Sequence, residues 1–170
     1  MKNLCAIIVF AMSASVNAET LSFPSFQIEI QDGWEHSIDN RPVDDLLNMI
    51  SLRRPNGVGV LKIWSFDAPA VSPDRLRNWT NLELSIPLTW QNWGDYSGYQ
   101  HDYLERGSFY RQWLLTNERT ILLITYQCDP ESKYIETAEI DNLVRSIMTT
   151  PALKRSESVD IRDYSRIRGE

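Results

Sequence analysis

Three consecutive segments constrain this chain more than any other part of it. Tyr96–Leu104, Phe109–Leu115 and Thr120–Cys128 are each rich in aromatic and aliphatic side chains, and only four residues separate each from the next. Parallel neighbours need a crossover of a dozen or more residues, so links this short enforce antiparallel pairing. The turns are expected at Glu105-Arg106-Gly107-Ser108 and at Thr116-Asn117-Glu118-Arg119. A three-stranded antiparallel meander is therefore predicted.

The rest of the chain is organised around it. Phe26–Ile30 alternates apolar and polar residues and reads as a strand, with a turn at Gly33-Trp34. Val43–Arg54 is ambiguous: Leu46, Leu47, Met49, Ile50 and Leu52 suit a short helix at first and a strand later. Arg54-Pro55-Asn56-Gly57 is a tight turn, and Gly59–Phe66 is the returning strand, its glycines pointing to a close backbone approach. Ser72-Pro73-Asp74 supplies a hydroxyl cap, an N-terminal proline and an acid, which start a helix. Leu76, Trp79 and Leu82 or Glu83 continue it, and Pro87 ends it. Leu88–Gly98 is expected to be an irregular, aromatic-rich loop. Asp129-Pro130-Glu131 opens a second helix, with Ile135, Ala138, Ile140 or Leu143, Val144 and Ile147 as its apolar stripe and Pro151 as its stop. Strands that cluster, with helices that do not alternate with them, define an α+β class with an antiparallel sheet and flanking helices.

The first eighteen residues read as a signal peptide. Lys2 is the positive start, Leu4–Met12 is apolar, and Val16 and Ala18 are small residues before Glu19. The apolar run is nine residues long, whereas a membrane-spanning helix needs about 20. Cleavage after Ala18 is expected, with Cys5 lost in the leader, and so is a periplasmic or secreted location in a bacterial cell. Residues 19–151 form one domain by length, and residues 152–170 are expected to be a mobile charged tail, being poor in large apolar groups.

Without the leader, 17 − 1 = 16 Lys+Arg face 23 Asp+Glu, a formal charge of −7. No basic stripe is present, so nucleic acid is not an expected partner, whereas a basic protein remains one. No later segment is long and apolar enough to span a bilayer. Cys128 is the single remaining cysteine, which leaves a buried thiol or a bond to another chain.

The stretches FQIEIQDGW, PNGVGVLKIW, DYSGY…SFYRQWLLTNERTILLITYQC and DNLVRSI, in that order, resemble the family with the PsbP-like fold. The resemblance covers about residues 22–148 and rests on the order of elements rather than on a catalytic signature. It implies an α/β/α sandwich with an antiparallel sheet between helices. Members include the PsbP protein of photosystem II, a Ran-binding nuclear import factor and many exported bacterial proteins. The resemblance implies protein binding more than chemistry. None of the Ran-binding or photosystem-docking residues matches a position here, so neither role is carried over.

No catalytic or metal-binding constellation stands out. His36 and His101 share no metal-ligand spacing, and neither a metal nor a cofactor is expected. His101 and Asp102 would point to opposite faces of a strand, and no nucleophile elbow accompanies them. Asp44-Asp45 and Glu136/Glu139 read as solvated helix faces. Gly57 and Gly59 follow a turn instead of opening a phosphate-binding helix. Asn78-Trp79-Thr80 fits the glycosylation triplet, but inside a helix of a bacterial protein it is expected to stay unmodified.

Trp90, Trp93, Tyr96, Tyr99 and Tyr103, with His101 among them, are the one local concentration above background. They either form an exposed recognition surface or roof the core. Phe109, Arg111 and Trp113 share a strand face, with Arg111 lying over a ring or reaching solvent. The expected function is a non-catalytic protein-binding module of the cell envelope, such as an assembly factor or an immunity protein against a toxin. Binding of envelope glycan is the alternative, and a hydrolase with an unrecognised site is the third reading. For the leader the outcome is concrete: mass spectrometry of the mature protein should begin at Glu19, and an intact Met1 on the cellular form would overturn the assignment.

Overall fold

The computed structural model describes residues 18–39, 47–68, 71–80 and 82–150. The leader (but for Ala18), Asp44-Asp45 and the tail at 152–170 lie outside the described residues.

The meander forms as the spacing requires. Strands β7 (Tyr96–Glu105), β8 (Ser108–Thr116) and β9 (Thr120–Cys128) pair antiparallel. The β7–β8 link is a two-residue turn in which Arg106 and Gly107 both have positive φ (50° and 79°), the type I′ geometry that suits strand twist. Asn117 holds the next turn, its side-chain oxygen accepting from the backbone N–H groups of Arg119 and Thr120. Strands β1 (Glu19–Ser22), β2 (Phe26–Ile30), β3 (Glu35–Asp39), β4 (Leu47–Arg53), β5 (Gly59–Asp67) and β6 (Gln91–Trp93) precede the meander, and β10 (Met148–Thr149) follows it. The main sheet runs β3-β4-β5-β9-β8-β7-β6, and β1-β2-β10 form a smaller one. Helices are α1 (Pro73–Asn78) and α2 (Thr137–Arg145).

Two layers of core follow from the alternation of each strand. On one face, Ile50, Leu52, Leu61, Ile63, Trp113, Leu115, Leu122, Ile124 and Tyr126 pack with Phe26, Ile28 and Ile30 of β2 and with Ile140, Leu143 and Val144 of α2. A fully buried aliphatic side chain contributes about 1.5–3 kcal/mol relative to an exposed one, so this layer dominates stability. On the other face, Leu76 of α1 sits on Tyr99, Leu114 and Ile121. The α+β class, with an antiparallel sheet between helices, is thus the architecture found. Cys128 is buried at the end of β9, and burial pushes its thiol pKa up.

Several boundaries differ from the sequence expectation. Leu88–Gly98 is not wholly irregular: β6 and the start of β7 form a hairpin there. The ambiguous segment is a strand from Leu47 onward. Helix α1 stops at Asn78, well before Pro87, because side chains recapture the backbone. Thr80 Oγ1 donates to the Arg77 carbonyl (2.8 Å), and the buried Arg77 guanidinium donates to the carbonyls of Glu83 (2.7 Å) and Ile86 (2.6 Å). Asp129-Pro130-Glu131 makes only a short 3-10 turn, Pro130–Ser132, and α2 begins at Thr137. Glu136, expected on a solvated face, is instead 3% exposed and accepts from the Tyr126 hydroxyl (3.1 Å). The later start leaves Ile135 and Ala138 exposed, while Ile140, Leu143, Val144 and Ile147 are buried as the stripe predicts.

Close approach sets Gly59 and Gly98. A Cβ at Gly59 would run into the Tyr126 ring, which explains the glycine in β5. A Cβ at Gly98 would run into the Leu114 carbonyl of the neighbouring strand, and backbone cannot swing aside as a side chain can. Gly98→Ala should therefore destabilise the domain by about 1–3 kcal/mol, the usual cost of overpacking. Urea unfolding of the variant against wild type measures it.

Candidate functional site

Strand β7 sorts the aromatic cluster by alternation, and the hairpin with β6 buries most of it. Trp93 is 2% exposed and meets Trp113 edge-on at 5.8 Å, with the Arg145 guanidinium 4.3 Å over its ring. Tyr96 is fully buried, and its hydroxyl donates to the Ser25 carbonyl at 2.8 Å. Burial, assisted by the Asp95 charge, pushes that phenol up to about 12. Tyr99 belongs to the second core layer, with the half-exposed Trp90 edge-on at 5.1 Å. The reading of this cluster as an exposed surface is thus corrected for Trp93, Tyr96 and Tyr99. The hairpin puts Trp93 and Tyr96 on one core and Tyr99 on the other.

Arg111 is corrected as well. It neither covers a ring nor extends into solvent. Its Nε and one terminal nitrogen each donate to Asp102 at 2.8 Å, and the other terminal nitrogen reaches Asp141 of α2 at 3.2 Å. Gln100 also donates to Asp102, at 2.7 Å. This bidentate pair ties β7, β8 and α2 together and raises the Arg111 pKa further, chiefly through its bonds to Asp102. It also explains why Asp102 does not orient His101: the two lie on opposite faces.

Apart from Trp90, what remains near the surface lies beyond the end of α1. His101 and Tyr103, on the α1 face of β7, join Trp79, Thr80, Leu82, Glu105 and Gln112 around a groove of about 350 Å³. His101 stacks on Tyr103 (5.6 Å) and Tyr103 on Tyr110 of β8 (5.0 Å), forming a ladder of rings across the strand pair. Trp79 is 46% exposed. The truncation of α1 creates this wall, since Arg77 anchors the chain that follows it.

His101 is 8% exposed, and its Nδ1 has no hydrogen-bond partner among the described residues. The indole nitrogens of Trp34, Trp93 and Trp113 share that condition inside the main core, but His101 lines an open groove. An unmatched buried polar atom costs about 1–3 kcal/mol, so one beside a groove is a pointer to recognition. Burial lowers the His101 pKa below its ordinary 6.5, and Arg77 lowers it further against the opposing pull of Asp102. The imidazole is therefore neutral near pH 7.

Sequence reasoning found His101 and Tyr103 but missed Trp79 as a wall of this groove, and missed Tyr110 and Gln112. Strand parity carried a signal for the last two, because Tyr110 and Gln112 face opposite to Phe109 and Trp113. Trp79 had none, because its place depends on where the helix breaks.

A second polar cluster joins the hydroxyl of Tyr126 to Glu136, with the Cys128 thiol beside them. Burial raises both the phenol and the thiol, so the thiol is a poor nucleophile. Among the described residues no group of three or more His, Cys, Asp or Glu is placed to hold a metal ion, and no helix is long and apolar enough to cross a membrane.

No protein-family model matches the chain, and no curated protein matches it. Among solved structures, a crystal structure from Bacteroides thetaiotaomicron VPI-5482 is similar, with a TM-score of 0.51 and 12% identity over 75% of this chain and 46% of that one. The present chain thus spans about half the length of that protein. The solution structure of cyanobacterial PsbP (CyanoP) from Synechocystis sp. PCC 6803 aligns over 87% of this chain and 98% of that one, at 8% identity and a TM-score of 0.45. The Bacteroides structure shares the fold of this chain. The likeness is one of fold alone and brings no site residue or partner with it.

The neutral, buried state of His101 has a consequence for stability. Its folded pKa lies below the unfolded value of 6.5, so the unfolded chain binds the proton more readily. This contribution is complete above pH 6.5 and is lost as pH falls through the folded pKa. Unfolding free energies measured from about pH 7.5 to 5 should decline at the acid end, and His101→Gln should flatten that decline. An unchanged slope in the variant would assign the decline to other groups.

Proposed function

We propose that this chain is an exported, non-catalytic binding module of the bacterial envelope, which holds a protein partner at the groove formed by Trp79, His101 and Tyr103. An assembly factor and an immunity protein are the two roles this reading accommodates. The observation that carries it is the groove itself. A half-exposed indole, a ladder of rings and an unpartnered imidazole nitrogen converge on one open face of the sheet. Large, stiff aromatic side chains anchor protein interfaces because they offer area at little cost in rotamer entropy. Export is supported by the leader pattern of residues 1–18.

The groove favours a protein over a glycan. Sugar recognition needs open ring faces, but Tyr103 is stacked against His101 and Tyr110, which leaves Trp79 as the one exposed ring in the groove wall. A catalytic reading lacks a partner for His101: among the described residues no carboxylate is hydrogen-bonded to its ring, and Asp102 is committed to Arg111. In a pull-down from an envelope extract, Trp79→Ala and Tyr103→Ala should each weaken capture of the retained partner by about 2 kcal/mol or more. Both variants should melt close to wild type, because neither ring is in the main core. Capture that is unchanged in both would overturn the groove as the binding site.

A further inference from the structure

The geometry points to the outer edge of β7, from Gln100 to Glu105, as a strand-addition site that takes an extended, basic segment of a partner protein. The inference rests on the groove being the recognition site, and it names how the partner lies beside it.

Strand β6 covers β7 only as far as Gly98. Beyond it β7 has no ladder partner on that side among the described residues, and Leu88 packs in the core layer under α1. Strand β7 continues to Glu105, paired on its other side to β8 throughout. In a two-residue hairpin the flanking pair, here Glu105 and Ser108, is the hydrogen-bonded one, and the pattern alternates along the ladder. The backbone N–H and C=O groups of Gln100, Asp102 and Leu104 therefore point outward. Among the described residues none of them has a backbone partner on that side. Leu104 is 69% exposed on the same edge.

Edge strands in natural sheets are blunted by proline, lysine, bulges or a cover. The stretch from Gln100 to Glu105 has no proline and no lysine, and its register with β8 is unbroken. Its charged residues are both acidic, Asp102 and Glu105. Asp102 is matched by Arg111, while Glu105 touches Arg106 only at 3.9 Å with both side chains largely exposed, a contact of little worth. The weakly engaged Glu105 and the chain's net negative charge favour a basic occupant. A second copy on this edge would bring together two mature chains each carrying −7. A basic segment meets no such repulsion. An added strand would also lay alternate side chains on the α1 face, beside His101 and Tyr103, and so reach the groove while its backbone completes the sheet.

The test uses a fluorescent synthetic peptide of about seven residues that alternates lysine and valine, enough to span the open edge. Controls are its glutamate-valine counterpart and a version N-methylated at alternate amides. Binding is read by anisotropy, and amide exchange by NMR on the mature protein. The lysine-valine peptide should bind and slow exchange at the amides of Gln100, Asp102 and Leu104 by about tenfold or more, while the N-methylated and acidic peptides should not. Leu104→Pro removes an outward N–H that β8 does not use, so it should weaken binding by about tenfold without moving the melting midpoint. Should that variant fail to fold, Leu104→Lys keeps the amide and should weaken binding by charge. Unchanged exchange at the three amides with peptide in excess would overturn the proposal. So would equal binding of the acidic peptide, and so would protection that grows with protein concentration alone, which assigns the edge to a second copy. If the amides stay unprotected while envelope capture still needs Trp79, the edge fails and the groove stands. If the amides are protected while Trp79→Ala and Tyr103→Ala capture normally, the edge stands and the groove fails.

Discussion

Along β7, β8 and β9 every second side chain faces one layer and its neighbours face the other, and everything else in the domain is arranged around that division. The register holds Trp113, Leu122, Ile124 and Tyr126 toward α2 and β2, and Tyr99, Leu114 and Ile121 toward α1. A slip of one residue would exchange the two sets and expose the larger core, which is why a half-buried sheet resists slipping. The type I′ turn at Arg106-Gly107 sets the register at one end, and the Arg111–Asp102 pair holds it midway along the β7–β8 ladder.

That division also makes the candidate site. The α2 face is covered along most of the sheet, whereas α1 is a six-residue helix that covers only one end of the opposite face. Past its last turn, Arg77 donates to the carbonyls of Glu83 and Ile86 and ties down the chain that follows. The groove lies where that wall stops, and His101 and Tyr103 reach it because they have the same parity as Tyr99. Burial of the His101 Nδ1 without a hydrogen-bond partner among the described residues is tolerated because the rest of the fold is held by the larger core.

The regular elements were legible wherever local chemistry agreed with the tertiary outcome. Short links dictated the meander, Asn56-Gly57 marked the turn between β4 and β5, and Ser72-Pro73 marked the start of α1, where the Ser72 hydroxyl accepts from the Arg75 N–H. Signals failed where a distant partner overrode them. The cap at Asp129 is real, its carboxylate accepting from Glu131 N–H, but helix formation waits for Thr137 because Glu136 is drawn inward to Tyr126. The short strands β1, β3, β6 and β10 carry little periodicity of their own and exist because a neighbour offers an edge.

The amino-acid sequence alone determined the α+β class, the antiparallel meander, the parity of each long strand, and the opposite facing of His101 and Asp102. These follow from link lengths and a period of two, which are local properties. Tertiary structure alone decided that Trp93, Tyr96 and Tyr99 are interior, that Arg111 is spent on Asp102 and Asp141, and that Trp79 walls a groove with His101 and Tyr103. Parity states that two side chains share a face. Whether that face is covered depends on where another segment ends, and the end of α1 is set by hydrogen bonds from Arg77 to carbonyls six and nine residues away.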